Sequence, residues 1–333
     1  MKNPSISDFS ASIRTPQLVK APILKGGKLL TKNGRPIKYA GGYCVVFPFQ
    51  TTSNKYAVRC WHVNVDGIQE RLKNISETLK TINLPYFVQF EYISKGLFTN
   101  MGPQDIVIMQ WVDSAPLKRY IHSNLNNPQK LEVLANNFKQ MVAELHKHHI
   151  AHGDLQHGNI MVNRDGSIVL LDYDSMYVPS LKGSTDDIKG LQGYQHPKRW
   201  SNKFITEKLD YFSELIIYTS ILTLAKYPVL WEELKLEDSE TLIFSSQDFS
   251  SLDSSHIYKI LIKDPYLKNL AIKIKEFLNF SSIDLLSPLE DAIEDFRKKI
   301  TTNLSNKWQD NGYKAKSLRE NINSITDNIT NKW

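Results

Sequence analysis

The chain has 333 residues, of which 41% are hydrophobic, and its 41 lysines and arginines outnumber its 35 aspartates and glutamates to give a net charge of +6. This apolar content supplies a sizeable core and excludes a disordered or fibrous chain. Because there are only two cysteines, Cys44 and Cys60, a disulfide scaffold and a cysteine-rich zinc module are excluded as well.

The distribution of charge and apolar residues also bears on partners and location. The basic residues are scattered mostly as singles and pairs, with one cluster of three at Arg297-Lys-Lys299, so we expect no nucleic-acid partner. The longest apolar stretch, 215–225, is too short to cross a bilayer, and the N-terminus lacks the apolar centre of a signal peptide. These features predict a cytoplasmic protein with no membrane span.

The first third of the chain is predicted to contain most of the strands. Residues 1–30 contain three prolines and no sustained period, which predicts an irregular segment. Runs of β-branched and aromatic residues predict strands, and apolar residues at steps of three and four predict one helix. The predicted strands cover 43–49, 56–61, 87–93 and 105–112, and the helix covers 69–82.

Beyond residue 112 the apolar pattern becomes helical. The predicted helices cover 131–149, 210–226, 229–235, 256–279 and 286–305, and 308–333 is an asparagine-rich tail or a short docking helix. The predicted fold class is therefore α+β. Its predicted parts are an N-terminal extension over 1–30, a small β-rich region over 31–112, a larger helical region over 113–305 and a C-terminal tail over 306–333.

The stretch His152-Gly-Asp-Leu-Gln-His-Gly-Asn159 carries the most chemistry. Asp154 and Asn159 lie five residues apart on a loop before a short predicted hairpin, and Asp172 follows the returning strand. Phosphoryl transfer needs one acceptor that orients a hydroxyl and hard oxygen ligands that hold Mg²⁺ against a triphosphate. These residue types therefore favour phosphoryl transfer.

This pattern resembles the protein-kinase family, whose H-R-D-L-x-x-x-N loop corresponds to residues 152–159 and whose D-F-G corresponds to Asp172-Tyr-Asp174. The resemblance implies a bilobal kinase-like fold with a β-rich N-lobe and a helical C-lobe. It implies ATP and Mg²⁺ as cofactors, Asp154 as catalytic base, and Asn159 and Asp172 as metal ligands. Aminoglycoside and choline phosphotransferases carry the similar loop H-G-D-L-H-P-G-N.

Further landmarks of the family follow in the same order along the chain. Tyr194-Gln-His-Pro197 resembles the end of an activation segment, and Asp210 resembles the aspartate that braces the catalytic loop. The resemblance implies a nucleotide site with a glycine pair over the phosphates, an apolar ceiling, a gatekeeper and a hinge. The glycine pair is Gly41 and Gly42, and the apolar ceiling is Val46 and Ala57. The gatekeeper is Met109, and the hinge is Gln110, Trp111 and Val112.

The chain departs from the family at the strand-three lysine, which is replaced by Arg59. Arginine is longer, planar and forked, so we expect Arg59 to bind the nucleotide by contacting the α- and β-phosphates with a shifted geometry. Spacing points to Glu77 as the helix glutamate that pairs with Arg59, and Glu70 is the competing choice.

The loop itself departs from the family pattern in further places. Gly153 replaces the H-R-D arginine, which predicts that the usual phosphorylation switch is absent. Gln156 replaces a phosphate-steadying lysine, and His157 beside it is a candidate donor. Asp174 replaces the D-F-G glycine and either shares the metal or caps the next turn.

Three hypotheses follow from these patterns. The first is an atypical, bacterial-type serine/threonine protein kinase that acts on protein substrates. The second is a pseudokinase that serves as a nucleotide-binding or partner-binding scaffold, because the departures change the charges around the phosphates. The third is a small-molecule phosphotransferase of the aminoglycoside or choline kinase type.

Overall fold

The computed structural model describes residues 3–294, and these form two compact units. The first unit comprises the residues up to Ser114 together with Val169–Leu181. The second unit comprises Ala115–Ile168 together with the residues from Lys182 onward. The predicted helix 286–305 lies partly, and the predicted tail 308–333 wholly, outside the described residues.

The first unit is built on an antiparallel sheet with the strand order β1-β5-β6-β8-β7, and β4 also pairs with β5. A separate small hairpin is formed by β2 and β3. The elements of this unit are α1 (Ile6–Ser12), β1 (Lys28–Leu29), β2 (Thr31–Lys32), β3 (Arg35–Pro36), β4 (Tyr39–Ala40), β5 (Cys44–Gln50), β6 (Lys55–Trp61), α2 (Ile68–Ile82), β7 (Phe90–Thr99) and β8 (Gly102–Gln110).

The N-terminal segment is not irregular as predicted, because residues 6–12 form helix α1. The Ser5 hydroxyl accepts from the Asp8 N–H while the Asp8 carboxylate accepts from the Ser5 N–H, which is a reciprocal N-terminal cap. Phe9 and Ile13 are buried against one face of the sheet, where they join a single apolar cluster. The sheet side of that cluster consists of Val45, Phe47, Phe49, Tyr56, Val58, Cys60, Leu97, Ile106 and Ile108.

Helix α2 confirms the helix predicted over 69–82. It begins after Gly67 and ends before Asn83, whose left-handed backbone is of the kind that commonly terminates helices. Its buried side chains recur every three or four residues and include Leu72, Ile75 and Leu79. This apolar stripe packs the helix beside β7.

The strand predicted over 87–93 begins later along the chain than expected, because β7 starts at Phe90 and continues to a tight hairpin with β8. Residues 86 and 87 contact a different part of the unit. The Leu170 N–H donates to the Tyr86 carbonyl at 2.8 Å. Leu170 ends β11 (Ile168–Leu170), the strand at which the chain passes from the second unit back to the first.

The second unit is mainly helical, which confirms the change of pattern predicted after residue 112. Short 3-10 turns occur at Gln192–Tyr194 and Pro197–Ser201. The regular elements are β9 (Ala115–Pro116), α3 (Leu117–Ser123), α4 (Pro128–Lys147), β10 (Ile160–Val162), α5 (Tyr211–Lys226), α6 (Leu230–Glu233), α7 (Ser246–Ser250), α8 (His256–Leu261) and α9 (Lys268–Leu278).

Helices α4 and α5 pack against each other, and α5 is buried along nearly its whole length. Near the end of α4, His146 bridges two carboxylates: its Nε2 lies 2.8 Å from Glu214 and its Nδ1 lies 2.8 Å from Glu290. Burial alone would lower the pKa of His146, but these carboxylates raise it to about 10. Burial raises the pKa of Glu214, so the imidazolium is its compensating partner.

The helix predicted over 256–279 is interrupted, because Pro265 removes a backbone donor in its middle. Asp264 caps the second piece, since its Oδ1 accepts from the N–H groups of Tyr266 and Leu267 at 2.8 and 3.0 Å. Within residues 3–294, no helix combines the length and the apolar character needed to cross a bilayer.

Candidate active site

In the second unit, a buried carboxylate fixes the backbone of the loop 152–159 by hydrogen bonds. Asp210, 2% exposed at the start of α5, accepts from the His152 N–H and, at 3.0 Å through Oδ1, from the Gly153 N–H. Gly153 has a φ of +78°, a backbone conformation that favours glycine over the arginine of the family pattern. The bracing predicted for Asp210 is therefore confirmed.

Asp154 and Asn159 are brought together in this loop. The Asn159 Nδ2 donates to the backbone oxygen and to Oδ2 of Asp154, each at 2.9 Å. The other carboxylate oxygen, Oδ1, accepts from the Leu191 N–H at 2.7 Å. Each oxygen of the half-buried carboxylate thus has a fixed donor, and the carboxylate plane is oriented.

Gly190 makes this approach sterically feasible. A Cβ at this position would lie 2.7 Å from Asp154 Oδ1 and 2.5 Å from the Gln195 Nε2. Real Cβ atoms do not approach other heavy atoms so closely, so any side chain here would displace the carboxylate or its surroundings.

A buried arginine that the sequence did not reveal joins the loop to the segment after it. Arg199, 1% exposed, donates from Nε and Nη2 to the two oxygens of Asp186 at 3.2 and 3.1 Å. Its Nη1 donates to the Gly153 carbonyl and, at 2.5 Å, to Gln195 Oε1. A guanidinium from residue 199 therefore contacts the loop at the position where the family arginine is missing.

The remaining loop side chains are also fixed. Gln156 folds back on its own turn, because its Oε1 accepts from the Gly158 N–H at 2.7 Å. His157 Nδ1 lies 2.7 Å from the Tyr194 hydroxyl. Burial and, to a smaller extent, the positive charge of Lys118 together lower the pKa of His157 to about 4, so the ring is neutral near pH 7.

Arg59, Asp172 and Asp174 are brought together in the first unit. The Arg59 Nη2 lies 3.0 Å from Asp172 Oδ1 and 2.8 Å from Asp174 Oδ2, and it also contacts Cys44 Sγ at 3.5 Å. The Arg59 side chain is 7% exposed, whereas that of Asp172 is 49% exposed. Asp172 thus presents a free face while Arg59 is enclosed.

Tyr173 fixes the direction of the two neighbouring carboxylates. Its hydroxyl donates to the Leu170 carbonyl at 2.7 Å and accepts from the Val88 N–H at 3.1 Å. Its ring packs edge-on against Phe87 at 5.5 Å. With this ring anchored, Asp172 adopts a left-handed backbone with a φ of +65°.

The ion pair predicted between Arg59 and Glu77 is absent from the described residues. Glu77 is exposed on α2, as is the alternative, Glu70, and both ionic partners of Arg59 come from 172–174. The α2 residue that contacts this segment is Arg71, whose Nη1 donates to the Asp174 carbonyl at 3.2 Å. The physical reason is helical phase: buried Arg71, Leu72, Ile75 and Leu79 define the inner face, and Glu77 lies off it.

The residue types of the first unit fit a divalent cation. Asp172 offers an exposed carboxylate, and Asp174 Oδ1 is buried without a hydrogen-bond partner. The pKa of Asp174 is raised to about 6, because burial and the charge of Asp172 raise it by more than Arg59 lowers it. Hard carboxylate oxygens are the donors that Mg²⁺ prefers.

The predicted nucleotide-binding residues all lie in the first unit, and cross-strand pairs place several on one sheet face. Val46 lies opposite Arg59, and Ala57 lies opposite Met109. Val46 and Ala57 are half-buried, while Met109 is buried. This face is the one opposite the α1 cluster.

The glycine pair forms the turn between β4 and β5. The Gly41 N–H donates to the Cys44 carbonyl at 2.9 Å, and Gly42 is exposed. At the other end of the sheet, the N–H groups of Gln110 and Trp111 donate to the carbonyls of residues 89 and 55 at 3.0 and 2.9 Å. Val112 follows β8 as a half-buried residue.

Comparison with known proteins identifies the family. The model of the protein kinase domain matches residues 40–299. Because this match covers most of the chain, the chain belongs to the protein kinase family, and the predicted kinase fold class is confirmed. Protein kinases in general use ATP and magnesium.

Curated relatives are kinases as well. A mitogen-activated protein kinase kinase of Pyricularia oryzae is 30% identical over 54% of this chain and 43% of its own length. Mitogen-activated protein kinase kinase 2 of Arabidopsis thaliana is 24% identical over 77% of this chain and 74% of its own length. A protein named as a probable serine/threonine-protein kinase of Streptomyces coelicolor is 20% identical over 69% of this chain and 36% of its own length.

Proposed function

We propose that this chain is an atypical protein kinase that transfers the γ-phosphate of ATP to serine or threonine hydroxyls of a protein substrate. The observation that carries the proposal is the oriented carboxylate of Asp154, which has donors from Asn159 and Leu191 at 2.9 and 2.7 Å. An acceptor hydroxyl needs such a positioned carboxylate. The names of the relatives support serine/threonine specificity.

In this proposal Asn159 and Asp172, with Asp174, hold Mg²⁺, which when bound neutralises charge on the triphosphate. Asp154 accepts the proton of the substrate hydroxyl. Gly41 and Gly42 cover the phosphates, Val46, Ala57 and Met109 contact the adenine, and the backbone of 110–112 pairs with its edge. Arg59 stands in the place of the family lysine, where it holds Asp172 and Asp174 and contacts the α- and β-phosphates.

A first experiment tests nucleotide binding. A ligand that binds only the folded state raises its stability by RT ln(1 + [L]/Kd). We expect ATP with Mg²⁺ to raise the melting temperature of the wild-type chain, and Asp172→Asn to lose the magnesium-dependent part of that increase. Asp66→Asn, at an exposed carboxylate of the same unit, is the matched control.

A second experiment tests transfer. We expect radiolabel from ATP to reach a basic protein substrate, and Asp154→Asn to reduce the rate by 10²-fold or more, as the loss of a positioned base does. Asp253→Asn, at an exposed carboxylate in the same unit, should leave the rate unchanged. Equal rates for wild type and Asp154→Asn would contradict the proposal.

One observation favours a pseudokinase scaffold as the second candidate. The Arg59 side chain is 7% exposed and already bonded to both carboxylates, which leaves little of its charge for phosphates. A folded wild-type chain that binds ATP without transferring it would establish this alternative. The cytoplasmic location and the protein substrate remain predictions.

A further inference from the structure

Two hydrogen bonds join the loop 154–159 to the segment 190–194 in the second unit. The Leu191 N–H donates to Asp154 Oδ1 at 2.7 Å, and the Tyr194 hydroxyl lies 2.7 Å from His157 Nδ1. The partners are spaced by three residues on both segments. The segment that orients the Asp154 carboxylate therefore also holds His157.

The hydrogen-bond partners of Tyr194 determine which ring nitrogen of His157 carries the proton. The Tyr194 hydroxyl accepts from the Leu242 N–H at 3.0 Å, and the tyrosine is 0% exposed. A buried hydroxyl proton needs an acceptor, and His157 Nδ1 is the acceptor within reach. Tyr194 therefore donates to Nδ1, and the proton of the neutral ring is on Nε2.

His157 and Gln156 are side chains of this loop that each have a donor left to give. The Gln156 Oε1 caps its own turn at Gly158, which leaves the Gln156 Nε2 as a donor, whereas the Asn159 Nδ2 is used by Asp154. Within residues 3–294, His157 Nε2 has no hydrogen-bond partner. The half-buried, oriented Nε2–H of His157, three residues after Asp154, is suited to donate a hydrogen bond to an anion.

We propose that His157 Nε2–H, oriented by Tyr194, donates a hydrogen bond to the phosphoryl group in transfer, and so replaces the lysine missing at Gln156. The proposal rests on the kinase function proposed above. A fixed neutral donor stabilises developing negative charge without side-chain reorganisation. His157 would touch the transferred group, whereas Tyr194 is a positioning residue.

The kinetic test compares His157→Ala and Tyr194→Phe with wild type at saturating magnesium and ATP. We expect His157→Ala to lower kcat about 100-fold, the loss typical of one transition-state donor, with the KM for ATP within about twofold. Tyr194→Phe should lower kcat less, about 3- to 10-fold, because the ring keeps its place but loses its fixed tautomer. His256→Gln and Tyr258→Phe, on α8, are the matched controls and should behave as wild type.

Chemical rescue separates a donor from a structural role. Free imidazole should restore part of the kcat of His157→Ala and should not change that of Asp154→Asn. A kcat for His157→Ala within twofold of wild type, or a loss that imidazole does not restore, overturns the proposal.

A spectroscopic measurement decides the proposal even if wild type transfers no phosphate. Long-range ¹H–¹⁵N spectra should show His157 with Nδ1 unprotonated and Nε2 protonated. The Nε2–H signal should shift when MgADP with aluminium fluoride, a mimic of the group in transfer, is added. A protonated Nδ1, or an unshifted Nε2–H with the mimic bound, refutes the proposal. Failure of wild-type transfer with the expected spectra refutes the kinase function alone.

Discussion

Replacing Asp210 with asparagine tests the support beneath the catalytic loop. In the structure the Asp210 side chain is buried, with 2% exposure. Its Oδ2 accepts from the His152 N–H, and the Gly153 N–H lies 3.0 Å from Oδ1 and 3.2 Å from Oδ2. The carboxamide retains the shape but presents one oxygen and one NH₂. One backbone N–H then loses its acceptor and faces another donor.

The expected loss follows from two effects. A hydrogen bond to a charged group contributes about 1.5 to 3 kcal/mol, and a buried donor left unsatisfied costs about 1 to 3 kcal/mol. We therefore expect Asp210→Asn to lower the free energy of unfolding by about 3 to 5 kcal/mol. For a domain of about 150 to 250 residues this corresponds to a fall in Tm of about 6 to 20 °C.

The assay is differential scanning fluorimetry of wild type, Asp210→Asn and the exposed control Asp253→Asn, checked by urea denaturation. Phosphoryl transfer by the folded fraction of Asp210→Asn should also fall, because the backbone that carries Asp154 is no longer fixed. A Tm within 2 °C of wild type would refute this account of the loop.

Three further outcomes are expected. Gly190→Ala should lower transfer at least tenfold at unchanged ATP affinity, since the added Cβ would lie 2.7 Å from Asp154 Oδ1; unchanged turnover would count against this. Arg59→Met should lower the unfolding free energy by about 3 to 5 kcal/mol at pH 8, because removing one partner leaves a buried charge unpaired. The loss should be smaller at pH 5, because Asp174, whose pKa is about 6, then binds a proton and is neutral. Urea denaturation at pH 8 and pH 5 measures the two losses of unfolding free energy, and equal losses would be inconsistent with an ion pair between Arg59 and Asp174. The pKa of His146 is raised from 6.5 to about 10. The stability that the charged imidazole contributes to the fold is therefore complete below pH 6.5 and is lost as pH rises through 10. The stability difference between wild type and His146→Gln should therefore narrow from pH 7 to pH 10, and a constant difference would argue against the charged imidazole.

The parts of the fold that the sequence predicted well are those with a local signal. The apolar stripe of α2 has a period that identifies a helix, α5 is a long and mostly apolar run, and the loop 152–159 has a spacing that identifies its chemistry. Helix α1 was missed because its cap, Ser5 with Asp8, is only a short signal within a segment that also contains prolines.

The contacts between distant residues could not be predicted in the same way. Spacing alone suggested Glu77 for Arg59, but the partners come from Asp172 and Asp174, more than a hundred residues further on. The burial of Arg199 has no local signal in the sequence, which predicts no role for it. Ionic partners depend on which faces meet, and only the folded chain determines that.

The packing of residues 4–24 on one face of the sheet has a practical consequence for expression. The family match begins at residue 40, and a truncated protein started there would lack Phe9, Ile13, Ala21 and Leu24. Phe47, Val58 and Ile108 would then face water and promote aggregation during purification. A failed preparation of that shortened protein would reflect a missing cover on the sheet and would say nothing about catalytic competence.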